Sequence, residues 1–227
     1  MNPQVSTLGR STTLAPSASK VLRNTYMLLS MTLAFSAVMA GLSMAMNVPY
    51  IVSLGTSIAA LVLLWFVVPR TAHSSTGIFV VFAITGLHGF GLGPMLNHYL
   101  ALPNGTQLVM MAMGGTAAIF LALSAYVMTT RKDFSFMGGF LMVGILVAFM
   151  AALVALGASL MGYPMPGLSL AVSAMFVLLM SGLILYQTSE IIHGGETNYV
   201  LATVTLYVSL YNLFTSLLHL LGFASND

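Results

Sequence analysis

The chain has 227 residues, of which 59% are hydrophobic and 4% charged: six Lys or Arg and four Asp or Glu. A water-facing domain is about a quarter charged, so this composition argues against a soluble enzyme and for a membrane protein. The absence of cysteine removes disulfides, thiol nucleophiles and thiolate metal sites, and a net charge of +2 is too small to point to a nucleic-acid partner.

Residues 1–19 are rich in Ser and Thr, contain two prolines and show no helical period; they read as a disordered cytoplasmic tail. They do not read as a signal peptide, because the first apolar run starts only after Lys20 and Arg23 and is long enough to span and stay. A bilayer core takes about 20 apolar residues per helix. Seven such runs follow, over 22–46, 51–69, 76–100, 106–129, 137–161, 167–191 and 200–222. Short connections carrying Asn, Pro, Gly or charge separate them. An outer-membrane barrel would instead alternate polar and apolar over segments of about ten residues, which Ile51–Val68 and Met137–Leu156 do not. The expected fold is an all-α seven-transmembrane-helix bundle, with residues 20–227 as one transmembrane domain.

Lys and Arg are retained on the cytoplasmic side during insertion. Arg10, Lys20 and Arg23 precede span 1, Arg70 follows span 2, and Arg131 and Lys132 follow span 4. All six fall on one side if the N-terminus is cytoplasmic, and an odd number of spans then leaves Asp227 outside.

Polar side chains are costly at membrane depth, so they are the first candidates for function. Span 3 carries His88, span 6 ends with Gln187 and Glu190, and span 7 carries Ser209, Asn212, Ser216 and His219 on one helical face. The stripe has two readings: hydrogen bonds that join helices, or a polar pathway formed by His88, Gln187, Glu190, Ser209 and Asn212. Glu190, near the cytoplasmic surface, is placed to pair with Arg70, Arg131 or Lys132. In span 3, Gly89 and Gly93 form a GxxxG pair that permits close helix approach, and Pro94 should kink the helix.

The motifs of several membrane enzymes are missing. There is no HExxH, no Asp within a span, no GxSG, no nucleotide loop, and no lysine inside a span to carry retinal. The expectation is a protein that is not an enzyme and uses no cofactor or metal.

Gly93-Pro94-Met95-Leu96 with Tyr99, the stretch Ser124–Phe136, and the long run Tyr186–Tyr199 leading into Leu206–Phe214 resemble the Bax-inhibitor family of seven-helix membrane proteins, in its bacterial inner-membrane branch. The resemblance runs from about Lys20 to Asp227. It implies a regulatory role in the inner membrane: binding the ATP-dependent membrane protease FtsH, with its HflK and HflC partners, and restraining it. Other members are pH-sensitive calcium leaks built on two facing aspartates. Alignment to their patterns places Gln187 and Ser209 at those positions, so both carboxylates are missing. An ion leak, of calcium or protons, stands as the alternative function.

Overall fold

The computed structural model describes residues 16–225. In chain order these form α1 (Pro16–Ala45), α2 (Tyr50–Val62), α3 (Val68–Thr71), α4 (Thr76–Leu100), α5 (Gly105–Thr130), α6 (Gly138–Leu160), α7 (Pro166–His193) and α8 (Tyr199–Ala224). A π-helical turn, Leu63–Val67, joins α2 to α3, and a 3₁₀ turn, Ser135–Met137, leads into α6. The described residues contain no strand and seven helices long and apolar enough to cross a membrane.

Most spans begin and end within two residues of the sequence expectation, and span 3 matches it at both ends. The main departure is the start of α1. The expected tail covered residues 1–19, but Pro16–Ser19 already form the first turn of the helix, where proline's missing N–H costs nothing. Residues 1–15 lie outside the described residues. A second departure is the π turn in span 2. Pro69 offers no N–H, and its ring would press on the carbonyl one turn back. Ahead of it the helix widens, Val68 N–H bonding Leu63 O across five residues. Arg70 then folds back to donate to the Phe66 carbonyl.

Lipid tails are as apolar as leucine, so packing and hydrogen bonds hold such a bundle together. Helix α8 lies at its centre, against α1, α4, α5 and α7, while α6 packs chiefly on α7 at the edge. Leu29, Ile184, Leu206, Tyr207 and Leu213 form the main core around α8. Helix α1 presses on α4 at its two glycines. A Cβ at Gly89 would strike the Ser36 carbonyl, and one at Gly93 the side chain of Ser43. The GxxxG reading therefore holds. Pro94 does not end α4, which runs unbroken to Leu100. Proline cannot bond Phe90 O, and beside that gap Gly91 O accepts a hydrogen bond from Ser53 on α2, at 2.7 Å.

Candidate functional site

At membrane depth, α1, α4 and α8 bring together a small polar and aromatic cluster. The Tyr207 hydroxyl donates to Thr85 O (3.2 Å), which leaves its lone pair for Ser36 Oγ–H at 2.7 Å. His88 stacks on Tyr211 with ring centroids 4.3 Å apart, and on Tyr207 at 6.0 Å. His88 is 6% exposed and its Nδ1 has no hydrogen-bond partner. Tyr207 and Tyr211 are one turn apart on α8, a spacing that puts both rings on the face meeting His88.

The other sequence candidates are placed differently. Ser209, fully buried, donates to Thr205 O at 2.8 Å, and Asn212 donates to Val208 O at 2.9 Å; both bonds stay within α8. Of the stripe, His219 makes the interhelical bond, its Nδ1 lying 2.8 Å from Ser173 Oγ on α7. Gln187 is buried on α7 and its Nε2 has no partner. Glu190 lies against the turn after α7, where a Cβ on Gly195 would strike its carboxylate. The stacking joins His88 to α8. No described hydrogen bond links His88, Gln187, Glu190, Ser209 and Asn212 to one another.

The segment 186–199 has a role at the end of the bundle that carries α1's first turn. Phe134 N–H donates to Ser189 Oγ at 2.9 Å, and His193 Nε2 lies 3.2 Å from Arg131 O, so α7 grips the loop between α5 and α6. That loop leaves α5 through Arg131 at φ 51. Asp133 accepts from Ser135 N–H, and this bond holds its carboxyl below the usual range. Asn198 caps α8 by accepting from Val200 N–H (2.8 Å), while its amide donates to Ala72 O at 2.8 Å and pins the loop before α4.

The opposite end is more open. Between α1 and α5 an apolar groove of about 540 Å³ is floored by α4 and α8, with Leu33, Ala37 and Gly41 on one wall and Met113, Ala117 and Leu121 on the other. A separate cavity of about 730 Å³ near the tip is lined by Asn47, Tyr50, Asn97, His98 and His219, among others. Asn97 Nδ2 donates to Met44 O at 3.2 Å, fixing the end of α1 to α4. Among the described residues, no three of His, Asp or Glu gather as metal ligands.

Sequence reasoning singled out His88 but missed Tyr207, Tyr211 and Ser36. It quoted Ser189, His193 and Asn198 within a motif without assigning them contacts. The available signals were aromatic residues one turn apart on a span already bearing polar groups, and a Ser-His pair at the same spacing at the end of α7.

Seven apolar helices with hydrogen-bonded loops at one end define a multi-pass α-helical membrane protein. Residues 18–226 match the family model described as "Inhibitor of apoptosis-promoting Bax1", and the chain belongs to this Bax-inhibitor family. It is 53% identical, over 93% of each chain, to the modulator of FtsH protease YccA of Escherichia coli. The match is equally strong to a protein of another Escherichia coli strain named inner membrane protein YccA. An uncharacterized membrane protein of Vibrio cholerae is 46% identical over 92% of each chain.

Proposed function

We propose that this protein is a multi-pass regulator of the bacterial inner membrane that binds FtsH, together with HflK and HflC, and restrains its proteolysis of membrane proteins. The observation that carries this reading is the 53% identity to a modulator of FtsH protease, which extends over 93% of both chains. Physical features support it. Four of the six basic residues, Lys20, Arg23, Arg131 and Lys132, flank the end bound by segment 186–199, and Arg70 closes the span that returns there. By the positive-inside rule this end faces the cytoplasm and the C-terminus the periplasm. The segment ahead of α1 then serves as a handle for an ATP-driven protease, and the tightly packed helices resist extraction. No catalytic role is assigned to any residue.

Affinity purification from membranes in mild detergent, followed by mass spectrometry, tests the reading. Recovery of FtsH with HflK and HflC is the expected result; their absence, when other abundant inner-membrane proteins define the background, contradicts it.

The second reading is an ion leak, favoured by the unpartnered Gln187 Nε2 and His88 Nδ1 in the membrane interior. Divalent cations prefer carboxylate oxygens, which an amide and a hydroxyl at 187 and 209 do not supply. Purified protein in liposomes should give no Ca²⁺ flux above that of protein-free vesicles. A flux abolished by Glu190→Gln or Ser209→Ala would establish the leak.

A further inference from the structure

We infer that His193 clamps the loop between α5 and α6 as a doubly protonated imidazolium, so that the loop is held in acid and released as the ring loses its proton. The atoms that face the two ring nitrogens carry this inference. Nδ1 lies 2.9 Å from the Ser189 carbonyl on its own helix, and Nε2 lies 3.2 Å from the Arg131 carbonyl, 62 residues away in the chain. Both partners are carbonyl oxygens, which only accept. A neutral imidazole has one N–H and one lone pair, so it bonds one of them and turns its lone pair on the other. The imidazolium donates to both, and its charge strengthens each bond.

The neighbouring hydroxyl does not supply the missing proton. Ser189 Oγ lies 3.3 Å from Nδ1. It accepts from Phe134 N–H at 2.9 Å, and its single proton goes to the Asp133 carboxylate. His193 itself is exposed, so its proton equilibrates with water outside the bilayer.

The local field favours the charged ring. His193 is the last residue of α7 and Arg131 follows the last residue of α5, so the negative ends of two helix dipoles meet at the imidazole. Asp133 adds a full negative charge. Its carboxyl is held low first by the Ser135 N–H, and the facing His193 ring and Ser189 hydroxyl contribute. The opposing cations of the loop are Arg131 and Lys132, and the Lys132 ammonium is drawn over the Tyr126 ring, 5.8 Å from its centroid. Glu190 on α7 and Glu196 in the turn after it are the other acids at this end, and α1 brings Lys20 and Arg23. The second imidazole here, His73, meets Asn198 instead.

Imidazole is the side chain that ordinarily changes charge between pH 5 and 8. Below that range both carbonyl bonds are made; as pH rises through it one is lost, and the hold on the loop weakens. The freed loop carries Arg131 and Lys132 at the end assigned above to the cytoplasm. The clamp does not require that assignment, because it is measured on the protein alone.

A nitroxide on Lys132→Cys, in a chain with no other cysteine, reads loop mobility in liposomes. The ratio of mobile to immobile label should rise about fivefold from pH 5.5 to pH 8, the size of one hydrogen bond. His193→Gln, which does not titrate, should give one ratio at both pH values, and His73→Gln should keep the full response. Constant mobility in the labelled parent, or an undiminished response in His193→Gln, overturns the proposal, as does loss of the response in His73→Gln. Nitrogen NMR of the wild-type ring gives a measurement free of substitutions in the clamp, with the His193 signals assigned by their loss in His193→Gln. At pH 5.5 both ring nitrogens should carry protons, and a singly protonated ring there contradicts the clamp.

Discussion

The two ends of the bundle are built on different principles. At the end with the charged loops, one stretch of chain from Ser189 to Asn198 hydrogen-bonds to two distant turns, reaching Arg131 and Phe134 on one side and Ala72 on the other. At the other end the turns carry no charge, and helices α1 and α5 stand apart over an open groove. The contrast teaches where such a protein needs fixed shape. Loops outside the bilayer gain from hydrogen bonds that hold them in one conformation, whereas a face in hydrocarbon can leave gaps that lipid fills. Helix α1 shares both characters, since its Ser36 and Ser43 press on α4 while Ala37 and Gly41 face the groove.

Substitutions on the two faces of α1 should give the widest separation. Gly89→Ala on α4 drives a methyl into the Ser36 backbone and should cost about 3 kcal/mol, because backbone cannot yield as a side chain does. Gly41→Ala in the groove should instead be neutral or stabilising by up to about 1 kcal/mol through helix propensity. Equilibrium unfolding in detergent micelles measures both, and equal costs would erase the distinction between the faces. Asn198→Ala comes next. It removes the α8 cap and the link to Ala72, with an expected loss of about 1–2 kcal/mol in the same assay.

His193→Ala should act more locally. Losing the contact to Arg131 O frees the loop after α5, and trypsin should cut after Arg131 or Lys132 about fivefold faster, as for an opening made ~1 kcal/mol easier. An unchanged cleavage rate would show that the loop is held by other contacts. The smallest effect concerns pH. Asp133 titrates below its usual value of 3.8 in the folded protein because Ser135 N–H bonds its ionised form. A depressed folded value means that its stabilisation is complete above the unfolded value and lost as pH falls through the folded one. Asp133→Asn should therefore be slightly less stable than wild type at pH 7, converge with it in acid, and show a flatter slope of thermal stability below about pH 4. An identical slope in the variant would deny the bond to Ser135 any energetic weight.

The spans were legible because a run of apolar residues long enough for a bilayer has one regular solution, a helix with its backbone bonds internal. The close approach of α1 and α4 was legible for a similar reason, since Gly89 and Gly93 lack the atoms that would prevent it. Other features depend on choices that sequence does not display. Ser209 and Asn212 bond within their own helix, a matter of rotamer, and the reading that placed such residues between helices holds instead for His219. Pro69 follows a π turn that no periodicity announced. His88 stood out as a costly side chain in a membrane. Its partners Tyr207 and Tyr211 did not, because aromatic residues on a buried face look like ordinary core. The bonds from His193 and Asn198 cross 62 and 126 residues of chain, so only the folded bundle reveals them.

The regulatory reading stands or falls on a reconstituted reaction. FtsH in proteoliposomes, supplied with ATP and a fluorescent membrane-protein substrate, should degrade that substrate more slowly as this protein is added at increasing ratios. Deleting residues 2–15 should weaken the inhibition if the segment ahead of α1 is the handle. Substrate turnover that stays constant up to a large excess of the full-length protein, with no complex detectable in the same membranes, would contradict the account.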